Sequence, residues 1–177
     1  GVRVLSFPAP GPLFSACIVV PTPAPPDNSG IPHCLEHLTF LGSRDYPERG
    51  YLDSLAIRCL SAGTNAWTAD DHTSYTCVTA GPDGLLATLP VLLDHVLFPT
   101  LTDANFLHEV FHISEDGSPA GVVYNEMVGR ENTEGDLLNQ AWRAALFKGT
   151  SLENDAGGRT RAIAILDNDR VKKYHAE

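Results

Sequence analysis

Residues His33-Cys34-Leu35-Glu36-His37 read H-x-x-E-H, the inverted order of the commoner H-E-x-x-H zinc signature. Pro32, just before, suits a first helical position, and Gly42 suits the residue past a helix end. On a helix His33 and His37 stand four apart, so their rings share one face. Two neutral imidazoles on one face suit a tetrahedral zinc, with Zn–N bonds of about 2.0 Å. Glu36 follows His33 by three residues and reaches the same side. A carboxylate there can take a proton from a water whose pKa zinc has lowered to about 7. The competing reading is an amphipathic helix that happens to carry two histidines.

A catalytic zinc needs a third protein ligand and one open position. Glu126, within Gly121-Val122-Val123-Tyr124-Asn125-Glu126-Met127, is the outstanding candidate, because an unpaired carboxylate in an apolar helical segment is costly. Its rival reading is a surface glutamate on a half-exposed helix. Glu131 and Glu134 read as solvated surface acids. His72, His95, His108 and His112 are scattered and read as surface or core histidines.

The elements that must position these groups follow from pattern. Val2–Leu5 and Phe14–Val20 read as strands, separated by a turn rich in proline. Residues 21–30 hold four prolines and form a stiff loop that delivers the chain to the H-x-x-E-H helix. Tyr51–Ala62 reads as a helix stopped by Gly63. Thr64–Thr68 and Thr73–Thr79 read as a hairpin turning at residues 69–72. A helix is expected over 84–97 with Pro90 inside it, and a short one from Thr102 or Asp103 to about His112. After a turn at 115–119, residues 120–147 read as one long helical stretch weakened by Gly129 and Gly135. Residues 149–161 read as loop. Asp167 or Asn168 caps a last helix, 169–177.

The chain has 177 residues, 43% apolar and 19% charged, enough for one domain with its own core. A net charge of −10 argues against nucleic acid or an anionic membrane as the main partner. No apolar run is long enough to span a bilayer, and Gly1-Val2-Arg3 does not resemble a signal peptide. The missing initiator Met suggests a chain cut from something longer. Cys17, Cys34, Cys59 and Cys77 show neither zinc-ribbon spacing nor a dense disulfide pattern, and fit reduced, mostly buried thiols in an intracellular protein.

Four ordered motifs together carry a resemblance. H-x-x-E-H at 33–37 is followed by Gly63-Thr64-Asn65-Ala66-Trp67-Thr68, by His72-Thr73-Ser74-Tyr75, and by the distant Asn125-Glu126. In this order they resemble the first domain of the inverzincin peptidases, the pitrilysin or insulin-degrading-enzyme clan (M16). Gly42-Ser43-Arg44-Asp45-Tyr46-Pro47 and Leu97-Phe98-Pro99 are similar to the presequence-protease branch, and within it to cytosolic members from fungi and animals. The likeness covers the chain and is strongest over 30–133.

The resemblance implies a zinc-dependent endopeptidase acting on peptides or short unfolded polypeptides. It implies one zinc per chain, held by His33, His37 and Glu126, with Glu36 as the base that activates the zinc-bound water. Asn65, Ala66, Trp67 and Thr68 match an edge strand onto which a substrate peptide adds, a mode that is blind to sequence because main-chain bonds carry it. The fold implied is α+β, a two-layer sandwich with a mainly antiparallel sheet and helices on one face. Residues 1–177 then form the N-terminal zinc-binding domain, incomplete at its C-terminal end. Clan enzymes are clamshells whose second half supplies an Arg and a Tyr to the substrate carbonyl, so that half is the expected partner, besides peptides. The compartment expected is the cytoplasm, with the mitochondrial matrix as alternative. The competing function is a non-catalytic structural or partner subunit, which in this clan loses ligands or the base; all four positions stand here.

Overall fold

A computed structural model describes residues 2–177. Strand β1 (Leu13–Pro21) ends in the proline-rich loop, which leads into helix α1 (Ile31–Thr39). Helix α2 (Tyr51–Arg58) is followed by β2 (Ser61–Thr68) and β3 (His72–Ala80), and α3 (Pro82–Leu97) returns across the sheet. Then come α4 (Asp103–Glu109), a two-residue hairpin of β4 (His112–Ile113) and β5 (Pro119–Ala120), and α5 (Val122–Arg130). Helices α6 (Glu134–Leu146), α7 (Thr160–Ile163) and α8 (Asn168–Ala176) complete the described chain.

The main sheet is antiparallel in the order β1-β3-β2. Alternation along the strands sends Ala16, Ile18, Val20, Ala66, Tyr75 and Cys77 to one face, where Leu52 of α2 and Val91, Leu92 and Val96 of α3 close over them. This is the sandwich of sheet and helices that the resemblance implies. A second core is helical: Cys34, Leu35 and Leu38 of α1 pack with Phe106, Val110, Val123, Met127, Ile163 and Val171. Helix α1 lies between the two cores, and eight of its nine residues are buried. The H-x-x-E-H segment is therefore held from both sides. No helix of the described residues is long and apolar enough to cross a membrane.

Several expectations are corrected. Val2–Leu5 forms no strand; Val2, Val4 and Leu5 stand about 80% exposed, with no neighbouring strand to take their hydrogen bonds. Helix α2 stops at Arg58, not Ala62, because Leu60 turns left-handed (φ 54°) and the chain enters β2. Gly63 is thus a strand residue, at the register shift between Ser61 and Thr64. The stretch 120–147 is two helices, broken where the Thr133 hydroxyl accepts from the Asp136 amide and restarts the helix. Helix α4 ends at Glu109, leaving His112 to pair in β4. Residues 149–161 are loop apart from a single 3-10 turn at Ser151–Glu153 and the start of α7. Helix α3 runs through Pro90; the carbonyl that its missing N–H leaves free belongs to exposed Leu86.

Candidate metal centre

Helix α1 starts without a side-chain cap. Gly30, at φ 65°, turns the chain, its carbonyl accepts from the Cys34 amide at 2.9 Å, and Pro32 fills the first turn. A glycine is required there: a Cβ on Gly30 would lie 2.5 Å from the Gly157 carbonyl oxygen and 2.8 Å from Gly158 Cα. The loop 154–158 is drawn against α1 by the Asn28 side chain, whose Oδ1 accepts from the Asp155 amide at 2.8 Å. Asp155 in turn accepts from the Gly157 amide at 2.8 Å, and Arg159 ties the loop to buried Asp136 at 2.6 Å.

The Gly157 carbonyl so placed lies 3.2 Å from His33 Nδ1. Glu109 Oε1, at the end of α4, lies 3.1 Å from His37 Nδ1. Both Nδ1 atoms donate to these partners, so the two Nε2 atoms, on the same side, are the ones a metal would take, His37 Nε2 after giving up the proton it holds toward Glu126. There they meet one carboxylate: His33 Nε2 is 3.5 Å from Glu126 Oε1, and His37 Nε2 is 3.4 Å from Glu126 Oε2. The donor atoms of the three residues lie within 4.8 Å of one another. Ligands on a tetrahedral zinc, each about 2.0–2.2 Å from the ion, are separated by roughly 3.3–3.6 Å. The donor set and its spacing fit zinc.

The electrostatics fit as well. Burial, followed by the charge of His37, holds the His33 pKa below its ordinary value, so its imidazole stays neutral. At His37 burial pulls down, but hydrogen bonds to Glu109 and Glu126 overcome it and raise the pKa to about 9. A metal entering the site at neutral pH must displace a proton there. The Glu126 carboxyl is held below its usual range, first by its hydrogen bond with His37 and then by the histidine charges against the opposing effect of burial. Cys34, inside the motif, is fully buried, and burial pushes its thiol up to about 12; it fills the core and stays protonated. The other three cysteines are also free thiols, but of these only Cys77 is buried; Cys59 is half-buried and Cys17, on the strand face away from the helices, is exposed, which corrects the expectation of mostly buried thiols.

Glu36 faces the other way round α1 from Cys34 and lines a cleft of about 450 Å³ with His37, Arg49, Asp53, Thr64, Asn65, Ala66 and Glu109. One of its oxygens accepts from the Thr68 hydroxyl at 2.6 Å. Strand β2 forms the rim of this cleft. It pairs with β3 on one side, and among the described residues no strand pairs with the other. Ala66 and Thr68 turn toward the helices, while Asn65 and Trp67 turn away, Trp67 being 46% exposed.

The structure brings His33, His37 and Glu126 together, and of the called strand it sets Asn65 and Ala66 on the cleft and Thr68 against Glu36, while Trp67 turns away from it. It leaves Glu131 elsewhere, accepting from Thr160, and Glu134 at the start of α6. His95 is buried with its Nδ1 on the Val91 carbonyl, His112 bonds the Leu107 carbonyl, His72 pairs with Asp71, and His108 is exposed. Sequence reasoning missed Glu109. Its signal was available: Phe106, Glu109 and Val110 share one helical face, and all three are buried, so an acid there needs a partner.

Two expected results arise here. Glu109→Ala frees the His37 ring and should weaken zinc affinity about 10–100-fold, read by competition with a chromogenic chelator. An unchanged affinity would show that Glu109 plays no part in orienting His37. Gly30→Ala should destabilise the protein by about 2–4 kcal/mol, combining a left-handed backbone with a backbone clash, read as a drop in urea midpoint. A midpoint unmoved by this change would mean the close approach of 30 and 157 is not kept in solution.

Comparison with known proteins places the chain. A sequence profile described as Insulinase (Peptidase family M16) matches residues 22–153. An uncharacterized protein of Caenorhabditis elegans is 41% identical over 176 residues, 98% of this chain and 18% of that protein. An uncharacterized protein of Saccharomyces cerevisiae is 42% identical over 167 residues, 93% of this chain and 16% of its own. The mitochondrial presequence protease of Schizosaccharomyces pombe is 36% identical over 174 residues, 94% of this chain and 17% of that protein. The crystal structure of pitrilysin matches in fold, with a TM-score of 0.70 at 20% identity over 93% of this chain and 17% of that chain. The chain thus spans 16–18% of the length of these curated relatives.

Proposed function

The chain belongs to the insulinase family of peptidases, M16, and on that premise we propose that it carries the zinc site and the general base of a metalloendopeptidase. The observation that carries this reading is the convergence of two histidine Nε2 atoms on the two oxygens of Glu126, at 3.5 and 3.4 Å. His33, His37 and Glu126 would hold one zinc. Zinc bound there supplies Lewis-acid polarisation and acidifies water.

The residues of the chain do the rest. Gly157 and Glu109 hold the two rings in the tautomer that offers Nε2. Glu36 accepts the proton of the attacking water and is placed to return it to the departing amine. The free side of β2 offers main-chain groups to an extended peptide, which would lie along the cleft as an added strand. Because those bonds are made to backbone, peptides or short unfolded polypeptides of varied sequence are the substrates this arrangement fits. Groups that grip the substrate carbonyl from the opposite side would come from the remainder of a longer protein, as the resemblance implies.

The test is made on the intact protein. Metal analysis should find one zinc per chain, and a quenched-fluorescent peptide should be cleaved, with activity lost to a chelator and restored by zinc. No zinc after loading, or cleavage that survives metal removal, would overturn the reading. Zinc with no cleavage of any peptide would favour the non-catalytic subunit instead. As to compartment, presequence proteases among the relatives are named mitochondrial, which supports the mitochondrial alternative. Fractionation of cells expressing the tagged intact protein tests it.

A further inference from the structure

Glu36 uses its two oxygens differently. Oε2 accepts the Thr68 hydroxyl at 2.6 Å, the short distance typical of a hydroxyl on a carboxylate. No other side chain or amide of the described residues bonds Glu36, so Oε1 is left free on a residue that lines the cleft. Behind Thr68 stands a train of hydroxyls. Thr68 Oγ1 is 3.3 Å from Thr73 Oγ1, and Thr73 Oγ1 is 2.7 Å from Thr22 Oγ1. Thr73 and Thr22 are buried, at 1% and 6% exposure.

A hydroxyl has one proton to donate, and a carboxylate only accepts. Thr68 gives its proton to Glu36, so in any bond between Thr68 and Thr73 the donor is Thr73, which then accepts from Thr22. With that pattern the three hydroxyls align in one direction, each polarising the next toward Glu36.

We infer that Thr68 is the positioning residue of the base: its hydroxyl, aligned by Thr73 and Thr22, clamps Oε2 so that Oε1 is the oxygen presented to the reacting water. The inference rests on the reading of Glu36 as general base. It gives the β2 edge a second task. The backbone of Thr68 belongs to the strand on which the substrate would dock, and its side chain holds the base. Seating of the peptide and placement of the proton acceptor are therefore set by one residue.

The two tasks separate by mutation, since the docking bonds come from backbone and the clamp from the side chain. In the zinc-loaded intact protein, Thr68→Val keeps the shape of threonine and removes the hydroxyl. We expect kcat to fall about 10–100-fold, the range for a lost hydrogen bond to a charged group, with KM within about twofold and zinc content unchanged. Thr68→Ser restores the donor and should recover most of kcat. Thr68→Ala removes the same hydroxyl without adding an apolar methyl, and should repeat the valine pattern. Crystal structures give a reading independent of turnover: Glu36 keeps its place in the serine variant and leaves it, or splits between conformers, in the valine and alanine variants. A full kcat in Thr68→Val or Thr68→Ala, equal loss in Thr68→Ser, a rise in KM alone, or an unmoved Glu36 overturns the inference. Glu36→Gln run in parallel separates the two claims. Loss in Glu36→Gln without loss in the Thr68 variants overturns this inference and leaves the peptidase reading standing. Full activity in Glu36→Gln overturns both.

Discussion

Glu36→Gln in the intact protein is expected to leave zinc in place and to lower peptide turnover by about 10²–10⁴-fold, or about 3–5 kcal/mol of barrier. The amide is nearly isosteric with the carboxylate. Its oxygen can still accept from Thr68, now 2.6 Å from Glu36 Oε2, so the helix and both histidines stay as they are. The amide nitrogen is then the group facing the cleft, and its lone pair is delocalised into the carbonyl, so it donates and takes no proton from water. The step that makes the nucleophile is lost, while the three ligands, none of which Glu36 provides, are unchanged. Steady-state kinetics beside metal analysis give the answer. Activity above about a tenth of wild type, well outside that range, would mean that Glu36 is not the base.

His37→Ala is expected to behave differently, losing metal and activity together. It removes one of three protein ligands from a site that needs all three. It also strips Glu109, a buried carboxylate, of its 3.1 Å partner, leaving Arg49 at 3.4 Å as its remaining contact. The fall in zinc affinity should exceed the roughly 10–100-fold expected for Glu109→Ala, because a ligand is lost and not only its orienting partner. Turnover should drop to the level of the chelator-treated wild type, and added zinc should not restore it at concentrations that saturate wild type. Retention of stoichiometric zinc would remove His37 from the ligand set. The contrast between the two variants, zinc kept in one and lost in the other, distinguishes a base from a ligand more sharply than either activity alone.

Strands and helices were legible where the pattern is local. The hairpin of β2 and β3, the Thr102 cap of α4 and the Asp167 cap of α8 follow from alternation or from a hydroxyl or carboxylate at the right offset. The failures share a cause. Val2–Leu5 has strand-like composition, yet a strand exists only where a neighbour takes its hydrogen bonds. Leu60 and Thr133 end and restart helices at points where hydrophobic periodicity alone runs on, because a left-handed turn and a cap at those residues override it.

The candidate centre divides along the same line. From sequence came the i, i+4 pair His33 and His37 with Glu36 between them, since helical spacing is a local property. Glu126 was a candidate third donor that the residue pattern alone left even with a surface glutamate, and its side chain is indeed 48% exposed; the ordered motifs of the resemblance singled it out, not burial in an apolar helix. Tertiary structure decided which nitrogen each histidine offers. The Gly157 carbonyl that takes His33 Nδ1 lies 124 residues away in the chain, and the Glu109 carboxylate at His37 Nδ1 lies 72 away. The clamp on Glu36 likewise comes from Thr68, 32 residues on, across the gap between α1 and the sheet edge. A tautomer or a carboxylate rotamer is set by whichever group ends up within about 3 Å. That neighbour is chosen by how the two cores close around α1, and no spacing within the motif encodes it.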